Sequence, residues 1–252
     1  LVSSVMATCL VSCFLLSGCN GQKQIDSETV KTVKVEEQAH LQDDTVSPTC
    51  QITIDYSYLA KSDAADSIVQ RINRTIQAHI LGKEYTRMNP EVAVDSFKNT
   101  YINNYRKDVN EFYQEDIKNG TPKDELPTWY NYEYGLTTYF SEGKEGILNF
   151  IAETFEYTGG AHPNSWNKWM NFEKNTGKLL ALKDVFMAGS EKPISDMLLE
   201  ELITEMATRL EDSSITSLEG LQNAGILNST NMYVPDNFLL EKEKVSFLYN
   251  KY

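Results

Sequence analysis

The sequence of 252 residues is poor in basic residues, histidine and cysteine, and it lacks long hydrophobic runs. It has 23 Lys and Arg against 36 Asp and Glu, so its formal net charge is -13. A nucleic-acid partner is not expected, because the phosphate backbone is bound by basic stripes. No apolar run reaches the roughly 20 residues that a spanning helix needs. With 41% hydrophobic residues, the composition is that of a globular protein with an acidic surface.

Four cysteines and three histidines leave little material for a metal site or a set of disulfides. Cys9 and Cys13 lie in an apolar amino-terminal segment and Cys19 follows it, so Cys50 is the one cysteine further along the chain. The pattern excludes a disulfide framework and a Cys-based zinc site. Cys50 precedes an apolar strand, which favours a buried, inert thiol over a redox group. We assign no metal, no cofactor and no catalytic residue.

The amino terminus reads as a targeting signal. Residues 1–18 carry no charge, and their apolar stretch runs into Ser17-Gly18-Cys19, which is typical of a lipoprotein signal peptide. We therefore expect a signal peptide over 1–18 and a lipid anchor on the thiol of Cys19, which places the protein in the bacterial cell envelope, outside the cytoplasm. A secretory signal with an incidental cysteine is the alternative. Asn20 is not the Asp that retains some lipoproteins in the inner membrane, which favours the outer membrane in a diderm bacterium.

The next segment, residues 19–48, has the composition of a linker. It contains six acidic residues against three lysines and no aromatic residue. Such a segment cannot form an apolar core, so we interpret 19–48 as an acidic tether between membrane and folded domain. An unstructured chain of this length has a reach of roughly 30 Å. A short isolated strand around Val30, Val33 and Val35 is the alternative.

Beyond the tether, helix and strand patterns mix in a way that predicts an α+β fold, with helices packed on an antiparallel sheet and two interlocked α/β lobes. The N-terminal lobe, 49–125, is expected to hold one strand and two helices. The C-terminal lobe, 126–252, is expected to hold a meander and a long helix, and we expect its carboxyl end to be truncated.

Individual elements follow from periodicity and from helix start and stop signals. Asn89-Pro90 predicts the start of the second helix, which is expected to end near Lys118. Period-two patterns predict a hairpin that returns from Ile147 to Tyr157, and a third strand over 165–173. In that third strand, Trp166, Met170 and Phe172 alternate with Asn167, Asn171 and Glu173. A helix from Ser190 to Leu210 and a closing hairpin around 241–244 complete the chain.

One loop between two strands is unusual, namely Thr158-Gly159-Gly160-Ala161-His162. Paired glycines permit backbone conformations that other residues avoid, so a structural turn is one interpretation. The other is a notch whose backbone N–H groups and His162 bind a carboxylate or a sugar hydroxyl. The candidate ligand-binding residues are Gly159, Gly160, His162, Asn164, Trp166 and Trp169.

This loop, followed by Phe172-Glu173-Lys174-Asn175-Thr176-Gly177-Lys178 and Leu182-Lys183-Asp184-Val185-Phe186, resembles the extracytoplasmic domain of RsiV-type anti-sigma factors. A similar domain precedes the catalytic part of PdaC-type peptidoglycan deacetylases. The resemblance covers roughly 49–252 and implies an envelope domain of two α+β parts, here in a lipoprotein, whose best-understood relative recognises lysozyme. It does not imply anti-sigma activity or deacetylation, since the sigma-binding segment and the catalytic metal site belong to other parts of those proteins.

These observations favour a non-catalytic, lipid-anchored binding module that engages a basic protein such as lysozyme, or a cell-wall glycan. An acidic surface steers basic partners toward it. A structural or accessory peptidoglycan-binding lipoprotein is one alternative, and an accessory domain of a carbohydrate hydrolase or deacetylase is another. The sequence contains no nucleophile elbow, P-loop, dinucleotide fingerprint or zinc-protease helix, which argues against an enzyme.

Overall fold

The computed structural model describes residues 5–9, 30–60 and 66–250. Strands β2 to β6 form one sheet in the order β2-β3-β4-β5-β6, and a second sheet has the order β1-β8-β7. The α+β class is therefore confirmed. The strands are β1 (Val5–Cys9), β2 (Val30–His40), β3 (Thr49–Leu59), β4 (Tyr132–Glu142), β5 (Ile147–Tyr157), β6 (Asn164–Glu173), β7 (Phe238–Leu240) and β8 (Val245–Tyr249). The helices are α1 (Asp66–Ile80), α2 (Pro90–Lys118), α3 (Leu182–Val185), α4 (Glu191–Arg209) and α5 (Leu218–Asn223).

The chain divides into two compact units, neither of which is continuous in sequence. Of the described residues, the first unit contains 30–60, 66–139 and 152–167, and the second contains 140–151 and 168–250 together with β1. Strands β4, β5 and β6 contribute residues to both units. The lobe boundary expected between 125 and 126 does not coincide with this division, because β4, β5 and β6 each begin in one unit and end in the other.

In the first unit, β2 pairs antiparallel with β3 from Val30 opposite Leu59 to His40 opposite Thr49. The tether prediction is therefore wrong over 30–48, and residues 19–29 lie outside the described part. Strand β2 stands at the end of the sheet order, and its side chains are mostly exposed or half-exposed. An edge strand of this kind gains its stability from backbone pairing, so it leaves only a weak apolar pattern in the sequence.

Strand β3 pairs parallel with β4, in register from Cys50 opposite Tyr132 to Asp55 opposite Thr137. The sheet is thus mixed and not wholly antiparallel. A parallel neighbour requires a crossover connection, and α1 and α2 provide it between the two strands. Cys50 is 0% exposed, as expected for an inert thiol, and burial raises its pKa to about 12.

Helix α2 has the bounds that its sequence predicted. The side chain of Asn89 accepts a hydrogen bond from the N–H of Glu91 at 3.0 Å, and Pro90 occupies the first turn. This helix and α1 bury apolar side chains against β3, whose inward residues are fully buried. The main core residues of the first unit are Ile52, Ile54, Tyr56, Ile72, Ile76, Val94, Tyr105 and Val109.

The second unit is built around α4 and the predicted hairpin of β7 and β8. The first half of α4 contributes Ile194 and Leu198 to one hydrophobic cluster, and the second half contributes Leu202 and Met206 to another. The backbone of β1 pairs antiparallel with β8. β1 falls within the predicted signal peptide, whereas the rest of 1–18 and Cys19 lie outside the described residues. No described helix has the length and hydropathy to cross a membrane.

Side-chain amides join β6 to β7. The Nδ2 of Asn171 donates to the carbonyl oxygen of Phe238 at 2.8 Å, and its Oδ1 accepts from the N–H of Leu240 at 2.7 Å. The Oδ1 of Asn237 accepts from the N–H of Trp169 at 2.7 Å. The sequence pattern assigned Asn171 to a polar face, but it is only 1% exposed, because its amide replaces a missing strand partner.

We expect Asn171→Leu to lower the free energy of unfolding by about 2–4 kcal/mol, because the carbonyl of Phe238 and the N–H of Leu240 would stay buried without a partner. Urea denaturation followed by tryptophan fluorescence measures the loss. Asn104→Leu, on the exposed side of α2, is the matched control and should cost less than about 0.5 kcal/mol. Equal effects of the two substitutions would contradict the bridging role of Asn171.

Candidate functional site

The Gly-Gly loop between β5 and β6 has one glycine that the fold requires. Gly159 has a φ of 83°, and a Cβ placed there would overlap the carbonyl oxygen of Trp129. At Gly160 the nearest atom to such a Cβ is the carbonyl oxygen of His162, 3.8 Å away. Close approach of the Trp129 backbone therefore explains Gly159, whereas a Cβ at Gly160 would make only an ordinary van der Waals contact.

The other predicted site residues do not converge on one place. His162 and Asn164 are exposed, and the Nδ1 of His162 lies 3.4 Å from the carbonyl oxygen of its neighbour Pro163. Trp166 is half-buried, whereas Trp169 is 5% exposed and belongs to a small hydrophobic cluster of the second unit. Residues three positions apart on a strand point to opposite faces, so the two tryptophans do not form one binding platform.

A cleft of about 230 Å³ in the second unit has a more defined chemistry, and we call it the acidic cleft. Apolar side chains form its floor and mostly acidic side chains form its rim. The floor consists of Ile147, Leu180, Val185, Phe186, Leu240 and Val245. The rim consists of Glu145, Glu173, Asp184, Glu241 and Glu243, with Lys144 and Lys244.

Three turns and the short helix α3 position these residues. The N–H of Lys144, in the β4–β5 turn, donates to the carbonyl oxygen of Leu240 at 2.9 Å. The N–H of Lys174, at the end of β6, donates to the carbonyl oxygen of Gly146 at 2.8 Å. A Cβ at Gly143 would lie 2.6 Å from the same Leu240 oxygen, so the β4–β5 turn can approach β7 only with glycine there.

Leu240 and Val245 of the floor are buried members of the hydrophobic cluster that surrounds the first half of α4, and the other four floor residues form its half-buried outer layer. Its members Ile147, Leu180, Val185 and Phe186 pack against that cluster. The ring of Phe186 lies 6.1 Å from that of Phe247 at an interplanar angle of 26°. The floor is therefore backed by rigid packing and still presents apolar surface.

The rim keeps a negative charge because its carboxylates outnumber its ammonium groups by five to two. Lys178 donates to Asp184 at 2.6 Å and, with the N–H of Ala181, lowers the pKa of that carboxyl. Lys244 lies 3.6 Å from Glu241. Glu145 and Glu243 form no ion pair with any residue of the described part.

The lining consists of carboxylates, two ammonium groups and apolar side chains, so the cleft offers attraction for cations and apolar contact. In residues 30–60 and 66–250, no three or more His, Cys, Asp or Glu side chains are grouped to hold a metal ion. Sequence reasoning missed the cleft because its residues come from separate segments. The sequence feature that could have indicated the cleft is the recurrence of acidic residues at or beside turns, at 145, 173, 241 and 243.

We expect Gly159→Ala to lower the free energy of unfolding by about 2 kcal/mol or more, because the left-handed φ and the contact with Trp129 must both be relieved. Gly160→Ala is the matched control and should change it by less than about 0.5 kcal/mol. Thermal and urea unfolding of both variants give the comparison. A tolerated alanine at Gly159 would remove the structural explanation of this loop.

The comparisons with known proteins agree with the fold. The family model described as "Deacetylase PdaC" matches residues 45–165. A crystal structure of a DUF3298-family member from Bacteroides fragilis superposes with a TM-score of 0.71 at 24% sequence identity, covering 88% of this chain and 89% of that chain. A DUF3298 protein from Pseudomonas aeruginosa has a TM-score of 0.48 at 13% identity, covering 88% and 90%. Among curated proteins none matches the sequence. The resemblance to the domain of PdaC-type deacetylases is thus confirmed: residues 45–165 match the model of that domain, and the fold of the chain is that of the DUF3298 protein from B. fragilis.

Proposed function

We propose that this protein is a non-catalytic binding module of the bacterial cell envelope, which recognises a basic protein through the acidic cleft. Lysozyme is the first candidate, because the RsiV-type relatives that the sequence resembles include one that recognises it. The observation that carries the proposal is the combination of an apolar floor with a rim of five carboxylates and two lysines.

Such a cleft matches a lysine or arginine side chain of a partner. The aliphatic stem of that side chain packs on the floor around Phe186, while its charged head stays at the rim. Glu145 and Glu243 are available for the head, since neither is paired with a described residue. The net charge of -13 adds long-range attraction that accelerates encounter with a basic protein.

The chemistry of the cleft supports binding over catalysis. Paired carboxylates hydrolyse glycosides when one of them keeps a raised pKa and acts as a general acid. At Asp184 the neighbouring Lys178 has the opposite effect and lowers the pKa, which holds this carboxylate ionised. A carboxylate held in this way suits attraction of a cation.

We expect the charge reversal Glu145→Lys with Glu243→Lys to weaken binding of hen-type lysozyme at least tenfold, because it replaces attraction at the rim by repulsion. Calorimetric titration of the full chain at about 50 mM salt measures the affinity, which should fall as salt is raised. The matched control is Glu111→Lys with Glu125→Lys, an equal change of charge at exposed sites in the first unit, which should alter the affinity less than about threefold.

Equal weakening by both double variants would show attraction by net charge without a site. Failure of the unchanged protein to bind lysozyme at low salt would overturn the lysozyme proposal. If the protein then sedimented with purified sacculi, a cell-wall glycan would replace lysozyme as the partner.

The envelope location is proposed from the amino-terminal sequence, in which Ser17-Gly18 precedes Cys19. We expect an alkyne fatty acid fed to a bacterial host to label the protein, and Cys19→Ala to abolish the label because the acylated thiol is gone. Cys13→Ala, in the same apolar segment, is the control and should leave the label intact. Labelling that survives Cys19→Ala would contradict the anchor.

A further inference from the structure

We infer that the first unit contains a second binding site, a cavity that receives an oxyanion, carboxylate or phosphate, carried on a larger polar molecule. The cavity has a volume of about 410 Å³ and lies among the ends of β2 and β3, helix α1 and the segment that leads into α2. We call it the cationic cavity. It shares no residue with the acidic cleft, so the inference does not depend on the proposed function.

Three cationic side chains line this cavity, namely Lys31, Arg74 and Arg87. All three are exposed, and none forms an ion pair with a side chain in the described ranges. The acidic lining residue is Glu91, whose Oε1 accepts a hydrogen bond from the hydroxyl of Tyr58 at 2.6 Å. A chain with a net charge of -13 thus places three cations, none of them paired with a described side chain, around one cavity.

Two buried amides of α1 fix the walls between these cations. Asn73 is 8% exposed, and its side chain holds the end of β3 by accepting from the N–H of Leu59 at 3.0 Å and donating to its carbonyl oxygen at 2.8 Å. Gln77 is 1% exposed and donates to the carbonyl oxygens of Tyr85 and Met88 at 2.9 and 3.1 Å. Both walls are therefore pinned to α1, the helix that carries Arg74.

The same hydrogen bonds fix the backbone close to each cation. Arg87 directly precedes Met88, whose carbonyl oxygen Gln77 holds. Lys31 stands opposite Tyr58 in the β2–β3 register, next to the residue that Asn73 holds. Arg74 follows Asn73 on α1. Arg74 and Arg87 are thus next in the chain to a residue with a buried amide hydrogen bond. Lys31 is held by strand pairing.

The chemistry of the lining identifies the ligand class. Arginine guanidinium groups bind carboxylate and phosphate with paired hydrogen bonds. A volume of about 410 Å³ falls in the range of sites for drug-sized ligands and exceeds what a single inorganic ion fills. The amides of Gln70 and Asn89 also line the cavity and can bind hydroxyl or amide groups of the molecule that carries the oxyanion.

The test is calorimetric titration of the full chain at low salt with three probes. Trigalacturonate supplies carboxylates, tripolyphosphate supplies phosphates, and chitotriose is uncharged. We expect at least one anion to bind ten times more tightly than chitotriose. Preference for trigalacturonate identifies a carboxylate ligand, and preference for tripolyphosphate identifies a phosphate ligand. Equal binding of both anions supports an oxyanion site without selectivity.

Variants locate the binding. Arg74→Ala and Arg87→Ala should each weaken the bound anion about tenfold or more, because each removes charge-assisted hydrogen bonds. Arg71→Ala, on the same helix but outside the cavity, should weaken it less than twofold. The Glu145→Lys and Glu243→Lys variant should retain anion binding, which separates this site from the acidic cleft. Equal weakening by all three arginine variants, or no anion binding at millimolar concentration, would overturn the inference.

Discussion

The fold depends on buried side-chain amides that satisfy backbone groups where strands and helices end. A buried N–H or carbonyl without a partner costs about 1–3 kcal/mol, so each unpaired end must be completed. In the second unit, Asn171 completes β7. In the first unit, Asn73 completes the end of β3, and Gln77 holds the segment that leads into α2. Both candidate sites rest on these amides, since β7 forms part of the acidic floor and β3 forms part of the cationic cavity.

The two candidate sites carry charges of opposite sign, although the chain as a whole is acidic. In the second unit the rim of the cleft has more carboxylates than ammonium groups, whereas in the first unit Lys31, Arg74 and Arg87 surround a cavity. A basic ligand is attracted by the first arrangement and repelled by the second. The two proposed ligands carry opposite charge, so neither is expected to occupy the other's site, and salt should weaken both interactions.

Sequence reasoning predicted the elements whose signals are local. Asn89-Pro90 identified the start of α2 because a cap and a proline act within one turn, and strict alternation identified β5 over Ile147–Tyr157. It missed β2, since an edge strand buries few side chains and its pairing is invisible in composition. It also misassigned Asn171, because polarity alone does not distinguish an exposed amide from one that replaces a strand partner. Neither site was predicted, since each is assembled from segments that are distant in sequence.

The parallel pairing of β3 with β4 also has a kinetic consequence. The N–H of Thr49 meets the side chain of Asn131, 82 residues further along the chain, whereas β2 and β3 are joined by the short connection 41–48. Closing the longer loop costs about 2 kcal/mol more in chain entropy than closing the short one. We therefore expect the β2–β3 hairpin to form before the parallel pairing of β3 with β4, because the parallel pairing closes the longer loop and long-range pairing slows folding.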